Sequence, residues 1–126
     1  MNILGYLLIP LIVIACKKES PVAMPNLPEP DTAITGNAYY VVTAASSISL
    51  DTGTTYRLGL AVYASFFKFD RSIKNGNLYY QAILESKRQF KPLKFYMVNN
   101  GSGEIVAIAT PTQAEVEKFN EEWERN

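Results

Sequence analysis

The run from Thr54 to Phe66 restricts the fold more than any other stretch: Tyr56, Leu58, Leu60, Val62, Ala64 and Phe66 alternate with Thr55, Arg57, Gly59, Ala61, Tyr63 and Ser65. Successive side chains of an extended chain point to opposite faces, so this period of two predicts a strand. Phe66, Phe67 and Phe69 either extend it or open a third, bent strand. Upstream, Ala38 to Ala44 is aromatic and β-branched, Ile48 to Leu50 continues it, and Asp51-Thr52-Gly53 supplies turn chemistry, together the pattern of a hairpin. Leu93 to Val98 and Glu104 to Ala109 flank Asn99-Asn100-Gly101-Ser102-Gly103 and predict a second hairpin.

Two segments read as helices. In Asn77 to Phe90, a helix would have Asn77 as N-cap, an apolar stripe through Tyr79, Tyr80, Ile83, Leu84 and Phe90, and Lys87 and Arg88 at the negative end of its dipole. A strand there would alternate Leu78, Tyr80, Ala82 and Leu84 and turn at Asn75-Gly76. The good helix formers of Gln81 to Gln89 favour the helix. Near the C-terminus, Thr110 as N-cap, Pro111 at the first helical position and Gln113 two residues on match a capping box, and Val116, Phe119 and Trp123 form one apolar stripe. The expectation is an α+β domain: a small curved antiparallel sheet or five-stranded barrel, with a helix between the third and fourth strands and a C-terminal helix.

The N-terminus carries a different signal. The apolar run Ile3 to Ala15 is shorter than the ~20 residues a bilayer span needs, and it ends in Val13-Ile14-Ala15-Cys16. These four residues resemble the lipobox of bacterial lipoproteins. The resemblance implies cleavage before Cys16, attachment of diacylglycerol to its thiol and acylation of the new amino group. The n-region departs from the usual pattern in having no basic side chain. The competing readings are a short membrane helix with Lys17 and Lys18 on the cytoplasmic side and a buried apolar strand. From Lys17 to Gly36, Pro21, Pro25, Pro28 and Pro30 interrupt any apolar period, so residues 16–36 read as a lipidated cysteine and extended tether, residues 1–15 as a signal peptide, and residues 37–126 as the folded domain. Lys17 after the cysteine resembles outer-membrane sorting where the host has two membranes.

The strand and helix order resembles the staphylococcal-nuclease-like barrel family across roughly residues 38 to 110, with Arg57-Leu58 where that family carries an Arg-Leu pair. The family's activity does not follow. Its metal-binding aspartate and its glutamate fall on Val62 and Ser65, and Gly103 is followed by Glu104 where the family has an arginine. A metal-assisted phosphodiester hydrolase needs oxygen ligands and phosphate-binding cations in register.

Composition narrows the chemistry further. The 126 residues include no histidine and one cysteine, which removes the commonest general base, a zinc cage and an intramolecular disulfide. Ser65 and Lys68 match SxxK, but on a strand their side chains point apart. Asp51, Asp70 and Glu85, the acids of the domain's centre, fall near turns or on a surface helix and do not suggest a convergent carboxylate pair. No cofactor and no metal is expected, and an enzyme is the less favoured class. Twelve basic and twelve acidic residues cancel, yet Gly53 to Gly101 is net positive by six and Gly103 to Asn126 net negative by four. Lys87, Arg88, Lys91 and Lys94, with Phe90 and Tyr96 interleaved, form a candidate basic-aromatic patch, and Arg57 is a further candidate binding residue. Helix-end and strand-edge charge placement accounts for the same residues, and nucleic acid is disfavoured as the partner of a surface-anchored chain. Tyr39, Tyr63 and Tyr96 are candidates for a tyrosine-lined face that binds a protein or glycan of the cell envelope.

The expected product is therefore an envelope lipoprotein, anchored through lipid on Cys16, whose domain binds rather than catalyses. A degenerate nuclease-like enzyme and a structural assembly subunit docking through the C-terminal helix are the alternatives. Intact-mass measurement of the membrane fraction should give a chain beginning at Cys16 and carrying acyl groups, and Cys16→Ser should leave the full-length, unacylated mass.

Overall fold

A computed structural model describes residues 23–125; the apolar run and Cys16 lie outside the described residues. The elements are α1 (Thr32–Thr35), β1 (Ala38–Thr43), β2 (Ala45–Thr52), β3 (Thr55–Leu60), β4 (Phe66–Asp70), α2 (Gly76–Gln89), β5 (Leu93–Val98), β6 (Glu104–Ala109) and α3 (Gln113–Arg125). The six strands make one sheet in the order β1-β5-β6-β4-β3-β2. Neighbours are antiparallel except β4 and β6, which run parallel through Lys68 opposite Glu104 and Phe69 opposite Ile105. The fold is α+β, with an open mixed sheet. The sheet does not close into the five-stranded barrel, because no ladder joins β1 to β2.

The expected continuous strand from Ala38 to Leu50 is broken at Ala44, and its two halves lie on opposite edges of the sheet. A single residue spans a few ångströms at most, so the sheet has to coil until its edges meet at that corner. Ala44 and Ala45 are fully buried there. The Ala61 N–H donates to the Ala44 carbonyl (2.9 Å), and the Thr43 hydroxyl donates to the Ala61 carbonyl (3.3 Å). The Ala45 N–H donates to Ser86 Oγ (2.9 Å), which passes its own proton to the Lys91 carbonyl (2.6 Å).

The same contacts explain a second departure. Thr54 to Phe66 is not one strand: β3 ends at Leu60, residues 61–65 turn, and Phe66 opens β4. With both backbone groups of Ala61 engaged by Thr43 and Ala44, the chain leaves the β3 line, and Val62 takes a left-handed φ of 66°, a conformation rare for a β-branched residue. Tyr56, Leu58 and Leu60 keep the expected common face and enter the core, whereas Phe66 is exposed on the other face. The β2–β3 hairpin forms as read, turning at Gly53 with φ 57°, and so does the β5–β6 hairpin.

The core lies between the concave side of the coiled sheet and α2. Leu58, Leu60, Phe69, Phe95, Met97, Ile105 and Ile108 meet Tyr79, Ala82 and Ile83, and burying each large apolar side chain contributes about 1.5–3 kcal/mol. Residues 77–89 are thus helical, and Phe90 follows as the cap with a left-handed φ of 53°. The helix begins two residues earlier than expected, with Asn75 rather than Asn77 in the cap position at φ 64°. Asn77 does not cap it; its side-chain oxygen accepts the Arg71 Nε–H (2.8 Å). Gly76 is required because a Cβ there would run into the Arg71 carbonyl; it opens α2, so the alternative Asn75-Gly76 hairpin turn does not form. Met24 and Leu27, assigned above to the tether, pack against the core; their apolar side chains lie three residues apart among the prolines. The start of α3 also shifts: the capping box is Thr112 with Glu115, not Thr110 with Gln113. The Glu115 N–H donates to Thr112 Oγ1 (3.1 Å) and the Thr112 N–H to Glu115 Oε1 (2.8 Å).

Ser86→Ala would leave the buried Ala45 N–H without its acceptor at the corner where the sheet edges meet. A loss of about 1–3 kcal/mol is expected, measurable as a lowered midpoint in urea unfolding.

Candidate functional site

Strand β1 is an edge. Its register with β5 pairs Tyr40 with Tyr96, Val42 with Lys94, Tyr39 with Met97 and Val41 with Phe95. Residues opposite one another share a face, so Tyr39, Val41 and Thr43 lie on the core side, while Tyr40, Val42, Lys94 and Tyr96 lie on the convex side. The expected set Tyr39, Tyr63 and Tyr96 is therefore divided. Tyr39 and Tyr63 come together, and Tyr96 is on the opposite face, its ring 5.6 Å from that of Tyr40.

Three clefts flank β1 and share walls. The first, about 450 Å³, is lined by residues including Val42, Thr43, Val62, Tyr63, Phe119 and Trp123. The second, about 330 Å³, lies among Tyr40, Val42, Tyr63, Lys118, Phe119 and Glu122. The third, about 290 Å³, is lined by Tyr39, Val41, Tyr63, Phe66, Phe67 and Met97 with the Ser65 and Gly101 to Gly103 loops. Tyr63 belongs to all three. Its ring stands edge-on to Phe67 at 5.9 Å, which braces it beside the strand. Tyr39, Tyr63 and Phe66 are 41%, 44% and 58% exposed and Val62 is 75% exposed, leaving an apolar, partly aromatic rim in solvent. The alternating pattern placed Val62 and Phe66 on one strand face with the core residues, so sequence reasoning missed both here. The surplus of adjacent aromatics at Phe66-Phe67 was the available signal.

Helix α3 forms the far wall of the first two clefts and is fixed by two sets of contacts. Phe119 is buried with its ring 5.6 Å from Phe90, and Trp123 approaches Phe90 at 4.6 Å. On the sheet side, Lys94 Nζ lies 3.3 Å from Glu115 Oε2 and 4.2 Å from the centre of the Tyr40 ring. Burial pulls the Lys94 ammonium down, but the Glu115 hydrogen bond and the neighbouring charges outweigh it, and its pKa is raised overall. The Thr112 N–H holds the Glu115 carboxyl below its ordinary range against the opposing effect of burial, and Lys94 adds to the lowering.

The basic-aromatic patch does not assemble as a unit. Lys94 is tied to Glu115, Arg88 Nη2 bonds Glu85 at 2.6 Å, and Phe90 belongs to the Phe119 and Trp123 cluster. Lys87 and Lys91 are exposed at the end of α2. Arg57 lies 4.0 Å from Asp51 with its guanidinium over the Phe66 ring at 5.3 Å.

The acids likewise serve the fold. Asp70 accepts bonds from the Thr54 hydroxyl and from the Ser72 N–H and hydroxyl, which lower its pKa in that order of partners. Glu85 is lowered by Arg88 and Gln89. Among the described residues no three histidine, cysteine, aspartate or glutamate side chains gather where a metal ion could be held. No described helix is long and apolar enough to cross a membrane.

No protein-family model and no curated protein matches the chain. Two solved structures share its fold. A crystal structure of pro-protein-glutaminase matches with a TM-score of 0.57 at 15% identity, over 68% of this chain and 30% of that one. A mutant of pro-protein-glutaminase matches with a TM-score of 0.52 at 14% identity, over 62% of this chain and 27% of the other. The chain thus spans about a third or less of either neighbour, and at this identity the likeness is one of fold. Neither neighbour is a nuclease-like barrel. Val62 and Ser65, which the nuclease-like alignment set at the acidic positions, stand in the exposed turn between β3 and β4.

The lowered Glu115 pKa sets a direction with pH. A carboxyl depressed on folding stabilises above its unfolded value and loses that contribution as pH falls through the folded one. Acidification below ~4.3, the usual glutamate value, should therefore weaken the Glu115 tie between α3 and the sheet, read as a change in Trp123 emission. Glu115→Gln should remove most of that acid dependence.

Proposed function

We propose that the chain is a membrane-anchored lipoprotein of the cell envelope whose domain binds a protein or glycan partner by contact, without catalysis. The observation that carries the binding part is the meeting of Tyr39 and Tyr63 with Phe66 and Phe67 around one cleft beside the sheet edge. Flat aromatic bodies with hydroxyls at the rim present contact area at low entropic cost, the composition found in recognition surfaces. The anchoring part is supported by Val13-Ile14-Ala15-Cys16 alone. Each buried methylene contributes ~0.8 kcal/mol, so two or three acyl chains on Cys16 would hold the chain durably at a membrane surface.

The refined contact face is Tyr39 and Tyr63 with Phe67, which line one cleft; Phe66 borders that cleft from the opposite strand face, and Tyr96 lies away from it. Lys87 and Lys91 line none of the three clefts beside β1. The activity named for the neighbouring proenzyme does not transfer: the match covers a minor part of that chain.

Full-length protein recovered from envelope extract should bring down a partner, and the double variant Tyr39→Ala with Tyr63→Ala should lose most of it. Tyr96→Ala should lose little. Equal recovery by the double variant would reject the cleft as the contact face.

A further inference from the structure

The backbone of β1 supplies more than its aromatic side chains. The Asn99 N–H donates to the Asn37 carbonyl (3.3 Å), which marks Asn37 and Asn99 as a hydrogen-bonded pair. In an antiparallel ladder such pairs alternate with non-bonded ones. Tyr39, Val41 and Thr43 therefore aim their N–H and C=O groups at β5, and Ala38, Tyr40 and Val42 aim theirs away from the sheet. Ala44 confirms the parity, since its carbonyl takes the Ala61 N–H from outside the ladder. Among the described residues β1 has no strand on that side. The strand reads Ala-Tyr-Tyr-Val-Val-Thr, with no charge, proline or bulge to discourage pairing.

Resting on the contact-binding reading above, we infer that this edge receives an extended segment of a partner protein as an added strand, bonded to Ala38, Tyr40 and Val42. An added strand would point alternate side chains to the two sides of β1, and a cleft lies on each side. The core-side cleft is lined without a charged residue by Tyr39, Val41, Tyr63, Phe67 and Met97, so it takes apolar side chains. The other side is bounded by α3, whose Glu115, Lys118, Glu122 and Arg125 line the clefts there with acids and bases in balance. The segment is therefore apolar at every second position and polar between. A second copy of β1 fits poorly. Its two faces are both apolar, and two-fold pairing along this edge would bring two net-negative α3 helices side by side.

The test uses full-length protein in detergent micelles and a short, blocked, dye-labelled peptide of alternating valine and threonine with lysine at each end. Fluorescence anisotropy should show saturable binding. N-methylation of the peptide amides that would meet β1 should weaken it at least ~10-fold, since it removes the bonds that define strand addition. Val42→Pro, which deletes an outward N–H and leaves the β5 ladder intact, should do the same. No binding, or equal binding of the N-methylated peptide, overturns strand addition. If capture of the envelope partner still depends on Tyr39 and Tyr63 in that case, the contact reading survives without it. A concentration-dependent dimer abolished by Val42→Pro assigns the edge to a second copy and also overturns the proposal, as does binding that appears only after residues 1–22 are removed.

Discussion

Everything in this domain is arranged around the requirement that one residue, Ala44, join two strands on opposite edges of a sheet. A flat sheet of six strands would put those edges more than 20 Å apart at about 4.8 Å per strand, so the coil of the sheet is imposed by connectivity. The coil makes the concavity that α2 fills. It also brings the turn after β3 beside the free side of β1, where Tyr63 leans on Phe67. The small side chains of Ala44 and Ala45 let backbone and helix approach closely, and Ser86 supplies the polar partner that a buried amide at such a corner requires.

The elements that local physics decides were legible. Alternation identified the faces of Tyr56, Leu58 and Leu60, glycine-bearing turns identified both hairpins, and the helix formers of residues 81–89 outweighed the strand pattern of the same segment. The elements decided by distant partners were hidden. Nothing local distinguishes Ala44 as a break from Ala44 as strand interior, because the deciding contacts come from Ala61 and Ser86. The turn at residues 61–65 contradicts its own alternation, and Val62 holds a backbone conformation that tertiary contacts impose against its β-branched side chain. At the start of α3, two threonines two residues apart both satisfy the capping pattern locally, and the chemistry of Glu115 decides between them.

The site was legible in part for a related reason. Tyrosines on edge-like strands suggested a contact surface, and Tyr39 and Tyr63 do meet. Tyr96 was misplaced because face assignment across two strands needs the register, and a shift of one residue reverses every side chain. The basic cluster was read from proximity along the chain, whereas Lys94 and Arg88 find carboxylates on a different helix and on the same helix. Net charge along a sequence does not say which charges remain available.

The pairing of β1 with β5 also bears on how the chain reaches its structure. Between them lie β2, β3, β4 and α2, so the first strand made has no ladder until Val98 has been synthesised and delivered. Contacts of such sequence separation close large loops and slow folding. In that interval an uncharged segment of high β-propensity waits with both edges open, the condition under which nascent chains associate wrongly.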